Sequence, residues 1–277
     1  MLYLLLSILG GSLISIVLRL SKGKLKSSLG MLLANYITCV ILAATFIGFD
    51  NVLPQAEGLS YAVSLGVLNG VLYLVSIMLM ELCTRNYGVV LATVFSKLGL
   101  LVPIVIAFLA FSEMPTAFQL IGSVIAVLAI VLINYEKGCK LSLNLWLVLL
   151  LVADGTASAM LKVFGGTGNG LLSDHFILYT FFFAGICCFV LMLRKKESIG
   201  LAEIAYGIAM GVPNFMGSRF MMKALADIPA VIAYPSRSVA IILVVSLAGV
   251  FFFSEKLRKN QWLAVGAILV ALVLLNI

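Results

Sequence analysis

The sequence predicts an all-α polytopic membrane protein, with ten transmembrane helices arranged as two inverted five-helix repeats. Three observations predict it. Of the 277 residues, 63% are hydrophobic and 10% charged, against about 45–50% and about 25% in soluble domains, so one globular core could not hide this much apolar side chain from water. The apolar residues fall into ten uncharged or nearly uncharged runs. The two halves of the chain also match each other, polar residue on polar residue.

A helix needs roughly 20 apolar residues to cross about 30 Å of hydrocarbon. Runs of that length cover 1–19, 29–49, 60–82, 88–111, 116–135, 143–163, 175–193, 200–225, 229–253 and 261–277. Almost nothing remains outside the membrane for a water-soluble catalytic or nucleic-acid-binding domain. The first run lacks the basic leader of a signal peptide, since Arg19, Lys22, Lys24 and Lys26 follow it. The cysteines (Cys39, Cys83, Cys139, Cys187 and Cys188) contain no CxxC pair and mostly lie in apolar runs, as reduced core residues do.

The net charge of +7 sorts by connection. Thirteen of the eighteen basic residues, among them Lys22 to Lys26, Arg85, Lys137, Lys140, Arg194 to Lys196, and Lys256 to Lys259, lie at one set of alternate connections. Lys162 and Lys223 lie near the other. A Lys/Arg excess marks the cytoplasmic side, which predicts both termini outside, in a multi-pass protein of a bacterial cytoplasmic membrane. Attraction to anionic lipid headgroups follows as a secondary effect, with no nucleic acid as partner.

At an offset of 143 residues the first run falls on the sixth, with Ser15 on Ser158, Arg19 on Lys162 and Tyr36 on Tyr179. Small shifts carry the match through Gly66/Gly207, Gly70/Gly211, Ser96/Ser236, Lys97/Arg237 and Phe111-Ser112-Glu113 on Phe253-Ser254-Glu255. The repeats are therefore 1–138 and 139–277. Five spans is an odd number, so the second copy enters the membrane from the opposite side. Inverted repeats of this kind build secondary transporters, whose halves expose one midplane site to each side in turn.

Each copy closes on a similar segment, Pro103–Glu113–Gln119–Gly122 in the first, with Glu255, Gln261 and Ala264 in the second and Pro235 earlier than its counterpart. Together with the five-plus-five helices, these residues resemble the drug/metabolite transporter superfamily and its EamA-type members. That resemblance covers the whole chain and implies a transporter. Its substrate range, from amino acids and sugars to nucleotide-sugars and organic cations, leaves the cargo open.

Charge near the bilayer centre costs roughly 2.5–3.5 kcal/mol on the translocon scale and marks a cavity or a partner. Lys97 and Arg237 lie about 13 Å into their spans, at equivalent repeat positions, each preceded by a serine (Ser96, Ser236). They predict a cationic clamp for a carboxylate or other anion. The structural alternative pairs Arg237 with Asp154 and turns Lys97 toward the interface. Arg219 adds a third cation. Asp154 reads either as a counter-ion or, with Glu81, as a proton-coupling carboxylate; Glu81 also stands four residues from Arg85 as a surface pair.

Tyr36, Asn69, Tyr73, Asn214, Tyr179 and Tyr234 are uncharged candidates for substrate contact, each equally able to form an interhelical hydrogen bond. The glycine pairs Gly66/Gly70 and Gly207/Gly211 read as close-packing faces. Pro213 reads as a kink or hinge, the run 165–170 as a flexible external linker, and Glu113 and Glu255 as groups that cap the following helix or anchor the turn.

The leading function is a secondary active transporter of a small polar anion or zwitterion. The alternatives are an exporter of cationic or amphipathic compounds using Asp154 or Glu81 and, more remotely, a polytopic membrane enzyme. No cofactor, metal or catalytic residue is expected, since His175 stands alone and no nucleotide-binding motif is present. The partners expected are a small-molecule substrate and membrane lipid, with the chain acting as a monomer or homodimer.

Overall fold

A computed structural model describes residues 1–134, 144–253 and 259–276. The repeat boundary at 138/139, Lys137, Cys139, Lys140, Glu255, Lys256 and Arg258 lie outside the described residues. Those that are described form helices and no strand. In order these are α1 (Leu2–Ser21), α2 (Ser28–Ile47), α3 (Leu59–Tyr87), α4 (Val89–Leu98), α5 (Leu101–Phe111), α6 (Ala117–Asn134), α7 (Leu145–Thr167), α8 (Ser173–Lys195), α9 (Leu201–Asp227), α10 (Ala230–Phe253) and α11 (Lys259–Leu275). With α4 and α5 taken as one traverse, ten helical spans appear.

Seven of these stretches are long and apolar enough to cross a membrane, and shorter apolar helices lie within α6 and α11. The tenth, α9, is 27 residues long but diluted by Glu203, Arg219, Lys223 and Asp227.

The ends follow local chemistry. Ser27 caps α2 by accepting the Gly30 N–H at 2.8 Å, and Gly48 stops it at φ 90°. Thr116 and Gln119 form a reciprocal capping box at the start of α6, at 3.1 and 3.2 Å. Lys196 ends α8 in the left-handed conformation, with the Lys196 and Glu197 N–H groups closing back on Leu193 and Met192.

Three sequence expectations need correction. The fourth span is not one helix. It breaks between α4 and α5, where Pro103 has no N–H to give the Gly99 carbonyl and Val102 donates to it instead at 3.0 Å. The glycine run is not a loose linker, because α7 continues through Thr167, whose hydroxyl bonds Val163 O and Tyr61 Oη, each at 2.7 Å. Asn169 then caps a short turn through the Leu171 N–H and donates to Glu57 O. Glu113 does not cap the helix that follows it, a role taken by Thr116. Its carboxylate instead accepts the Ala230 N–H at the start of α10, at 2.6 Å, and pairs with Lys162 on α7 at 2.5 Å.

By its contacts the chain forms two compact units, Met1–Leu74 with Val163–Ala226 and Val75–Lys162 with Asp227–Ile277. In the first, α2 packs along α8. The glycine pairs let two further helices close on these, α3 on α8 and α9 on α2. A Cβ at Gly66 or Gly70 would lie 2.6 Å from Tyr179 Cβ or 2.8 Å from the Ala184 nitrogen, both on α8. At Gly211 it would lie 2.5 Å from Thr38 Cβ on α2, and at Gly207 it would strike Ala34 on the same helix. In the second unit α6 packs along α11, and Gly122 lets Leu274 and Leu275 approach. The core there is built from Leu100, Ala126, Ala129, Ile130, Val239, Ile268 and Ala271.

Candidate functional site

The second unit gathers Ser96, Lys97, Asp154, Tyr234, Ser236 and Arg237. Their placement begins with two glycines. At the break after α4, a Cβ on Gly99 would lie 3.0 Å from the backbone nitrogen of Gly155, and one on Gly155 would strike the Gly99 carbonyl. Backbone therefore rests on backbone where α4 and α5 meet α7. That contact brings Ser96 onto Asp154, with the serine hydroxyl donating to Asp154 Oδ2 at 2.6 Å.

Lys97, in the last turn of α4, interacts electrostatically with both Asp154 and Arg237. Its side chain is exposed. Tyr234 on α10 is buried and donates to the Ser158 carbonyl on α7 at 2.8 Å, tying these two helices together. Ser236 is 2% exposed, and its hydroxyl is one of the few buried side-chain oxygens with no hydrogen-bond partner among the described residues. Two cations and one carboxylate thus share one neighbourhood, and Ser236 adjoins Arg237 in the sequence. The neighbourhood's formal charge is +1, and the serine can donate to a ligand oxygen.

The remaining candidates lie in the first unit. Tyr36 is buried and forms an aromatic cluster with Tyr73 and Phe181, at ring separations of 6.1 to 6.4 Å. Asn214 donates to Asn35 Oδ1 at 3.1 Å, and Asn69 Nδ2 is 3.5 Å from Thr180 Oγ1. Tyr179 donates to the Val52 carbonyl at 2.6 Å, holding the connection between α2 and α3. Arg219 makes a two-pronged pair with Asp174 at the start of α8, at 2.7 and 2.9 Å, and its guanidinium lies 4.3 Å from the centre of the Phe46 ring. Glu81, on α3 in the second unit, is exposed.

Asp174, Asn35 and Lys162 were not singled out by sequence as site-forming residues. Asn35 carried a signal, a buried amide beside Tyr36 in mid-span. The partnerships of Asp174 and Lys162 depend on which helices meet, and pattern along one helix does not report that.

Against known proteins, residues 142–277 match the EamA-like transporter family. The second half of the chain thus resembles an EamA-like transporter unit, of the drug/metabolite transporter superfamily. A protein of Haemophilus influenzae, described as uncharacterized, is 24% identical over 277 residues, 95% of this chain and 93% of its own. A probable 4-amino-4-deoxy-L-arabinose-phosphoundecaprenol flippase subunit, ArnE of Hamiltonella defensa, is 41% identical over 60 residues, 22% of this chain and 53% of its own. A protein crystal structure superposes with a TM-score of 0.74 at 14% identity, covering 99% of this chain and 94% of its own, which shows a shared fold. The chain is an integral, multi-pass membrane protein.

Proposed function

We propose that the protein is a secondary active transporter that moves a small anionic or zwitterionic metabolite by alternating access, with Lys97, Arg237 and Ser236 as its principal binding groups. The observation that carries this reading is the neighbourhood of Lys97. Two repeat-equivalent cations and one carboxylate interact there, and the serine next to Arg237 in sequence keeps an unused hydroxyl. An anionic group would be held there by charge-assisted hydrogen bonds from Lys97 and Arg237. Asp154 acts as a counter-ion that holds Lys97 in place, since it already accepts from Ser96. Lys97 beside it weighs against a cationic cargo attracted by Asp154, because a resident cation already offsets that carboxylate.

The inverted repeat, 1–138 against 139–277, supplies the alternation. Equivalent helices pack on each other, α2 on α8 and α6 on α11, as expected where a pseudo-two-fold axis lies in the membrane plane. The energy source is an ion gradient or an exchanged solute.

The test is uptake into proteoliposomes over a panel of amino acids, sugar phosphates, nucleotides and organic cations. Lys97→Gln and Arg237→Gln each lower anion uptake about 10- to 100-fold, the loss of one charge-assisted hydrogen bond, and Asp154→Asn lowers it less. Normal transport by Lys97→Gln together with a dead Asp154→Asn would refute the anion site.

A further inference from the structure

We infer that the first unit carries a binding site for one anionic phospholipid, with an acyl chain in the groove between α2 and α8 and the phosphate on basic residues at its mouth. The groove has a volume of about 540 Å³, within the roughly 300–1,000 Å³ range of ligand pockets. Hydrocarbon from both helices lines it, including Leu33, Ile37 and Ile41 on α2 and Phe182, Ile186 and Phe189 on α8. Tyr36 and Phe181, stacked at 6.1 Å, lie along it. Gly185 opens it, for a Cβ there would have only Tyr36 Cβ within 4 Å, at 3.5 Å.

The mouth is where α2 starts and α8 ends, and two connections meet there. Glu203, 2% exposed, accepts the Lys26 N–H at 2.6 Å and the Ser27 N–H at 3.3 Å through one oxygen, and the Gly200 N–H at 3.0 Å through the other. Ser27 also bonds Glu197. The α1–α2 and α8–α9 turns are thus stapled side by side. Ile199, between them, packs on Gly30 and lines the groove.

This staple fixes Lys22, Lys24 and Lys26 alongside Arg194, Lys195 and Lys196, all exposed. The two carboxylates there, Glu197 and Glu203, are engaged by N–H and O–H groups, leaving a strong positive excess at the end of an apolar trough. A soluble anion would fill only the mouth. A second copy of the chain, related by a two-fold axis, would press like charges together. A phospholipid satisfies both ends, since an acyl chain fills the trough by van der Waals packing and a phosphate gains from each nearby Lys or Arg.

The experiment uses the purified full chain in detergent, with lipid binding read by native mass spectrometry and by thermal unfolding. The probes are phosphatidylglycerol, phosphatidylcholine and free glycerol 3-phosphate. Phosphatidylglycerol is expected to bind about 10-fold or more tightly than phosphatidylcholine, and glycerol 3-phosphate not to stabilise. The triple variant Lys26→Gln, Arg194→Gln, Lys196→Asn abolishes the preference between the two lipids; asparagine keeps the left-handed cap of α8. Gly185→Leu, which fills the groove, weakens both lipids. The preference is a ratio measured on one preparation, so a general loss of stability does not enter it. Equal binding of the two lipids to the native chain, a preference surviving in the triple variant, or stabilisation by glycerol 3-phosphate would each overturn the proposal. So would a Gly185→Leu chain whose lipid binding is unchanged, or one that differs from the native chain only in oligomeric mass.

Discussion

Arg219 and Lys97 are both cations in apolar helices, but their neighbours differ. Arg219 is held by two prongs of Asp174 and by the face of Phe46, a geometry that suits a planar guanidinium and not an ammonium. Arg219→Gln should lower stability by about 1.5–3 kcal/mol, the range for hydrogen bonds to charged groups, and Arg219→Lys should recover only part of it. Thermal unfolding in detergent checks both, and transport KM in proteoliposomes should stay near its native value. Lys97 instead lies within electrostatic range of both Asp154 and Arg237, and substitution there should act on uptake first. Sequence alone marked both residues, because charge in a lipid-spanning run is conspicuous. It could not separate their roles, because Asp174 lies 45 residues from Arg219 and meets it only through the packing of α8 on α9.

Helix pairs depend on what glycine leaves out. On α9, a Cβ at Gly211 would lie 2.5 Å from Thr38 Cβ and 2.8 Å from the Asn35 carbonyl, with no flexible side-chain end to yield. Gly211→Ala should therefore cost about 1–3 kcal/mol through overpacking. Gly266 on α11, with nothing within 4 Å of its Cβ position, is the control: Gly266→Ala should leave the unfolding temperature unchanged or raise it slightly. Chemical denaturation of both variants in one detergent distinguishes them. The recurrence of Gly66/Gly70 and Gly207/Gly211 made close packing legible in the sequence. The partner helix was not legible, nor was the break at Gly99, because the apolar run resumes past Lys97 as far as Phe111 while Pro103 removes the hydrogen bond that would have kept the helix whole.

Over the whole chain, the distribution of Lys and Arg predicts where the ends lie. A reporter enzyme active only outside the cytoplasm, fused after the C-terminal residue, should be active, and a cytoplasm-dependent fluorescent reporter at the same point should be dark. The reverse pattern would invert the proposed orientation. Membrane residence and helix number were legible because lipid imposes one length and one polarity on every span. The interleaving of first-half and second-half segments within each compact unit was not, since a linear repeat does not say which copies touch. Glu203 shows what that interleaving means during synthesis. Its partner Lys26 is 177 residues earlier in the chain, a stretch that takes about 10–35 s to translate at about 5–20 residues per second. For that interval the turn between α1 and α2 waits in the membrane without the carboxylate that closes it. The nascent first half is thus a natural client for whatever escorts incomplete membrane proteins, and a chain truncated before α9 should be cleared by quality control.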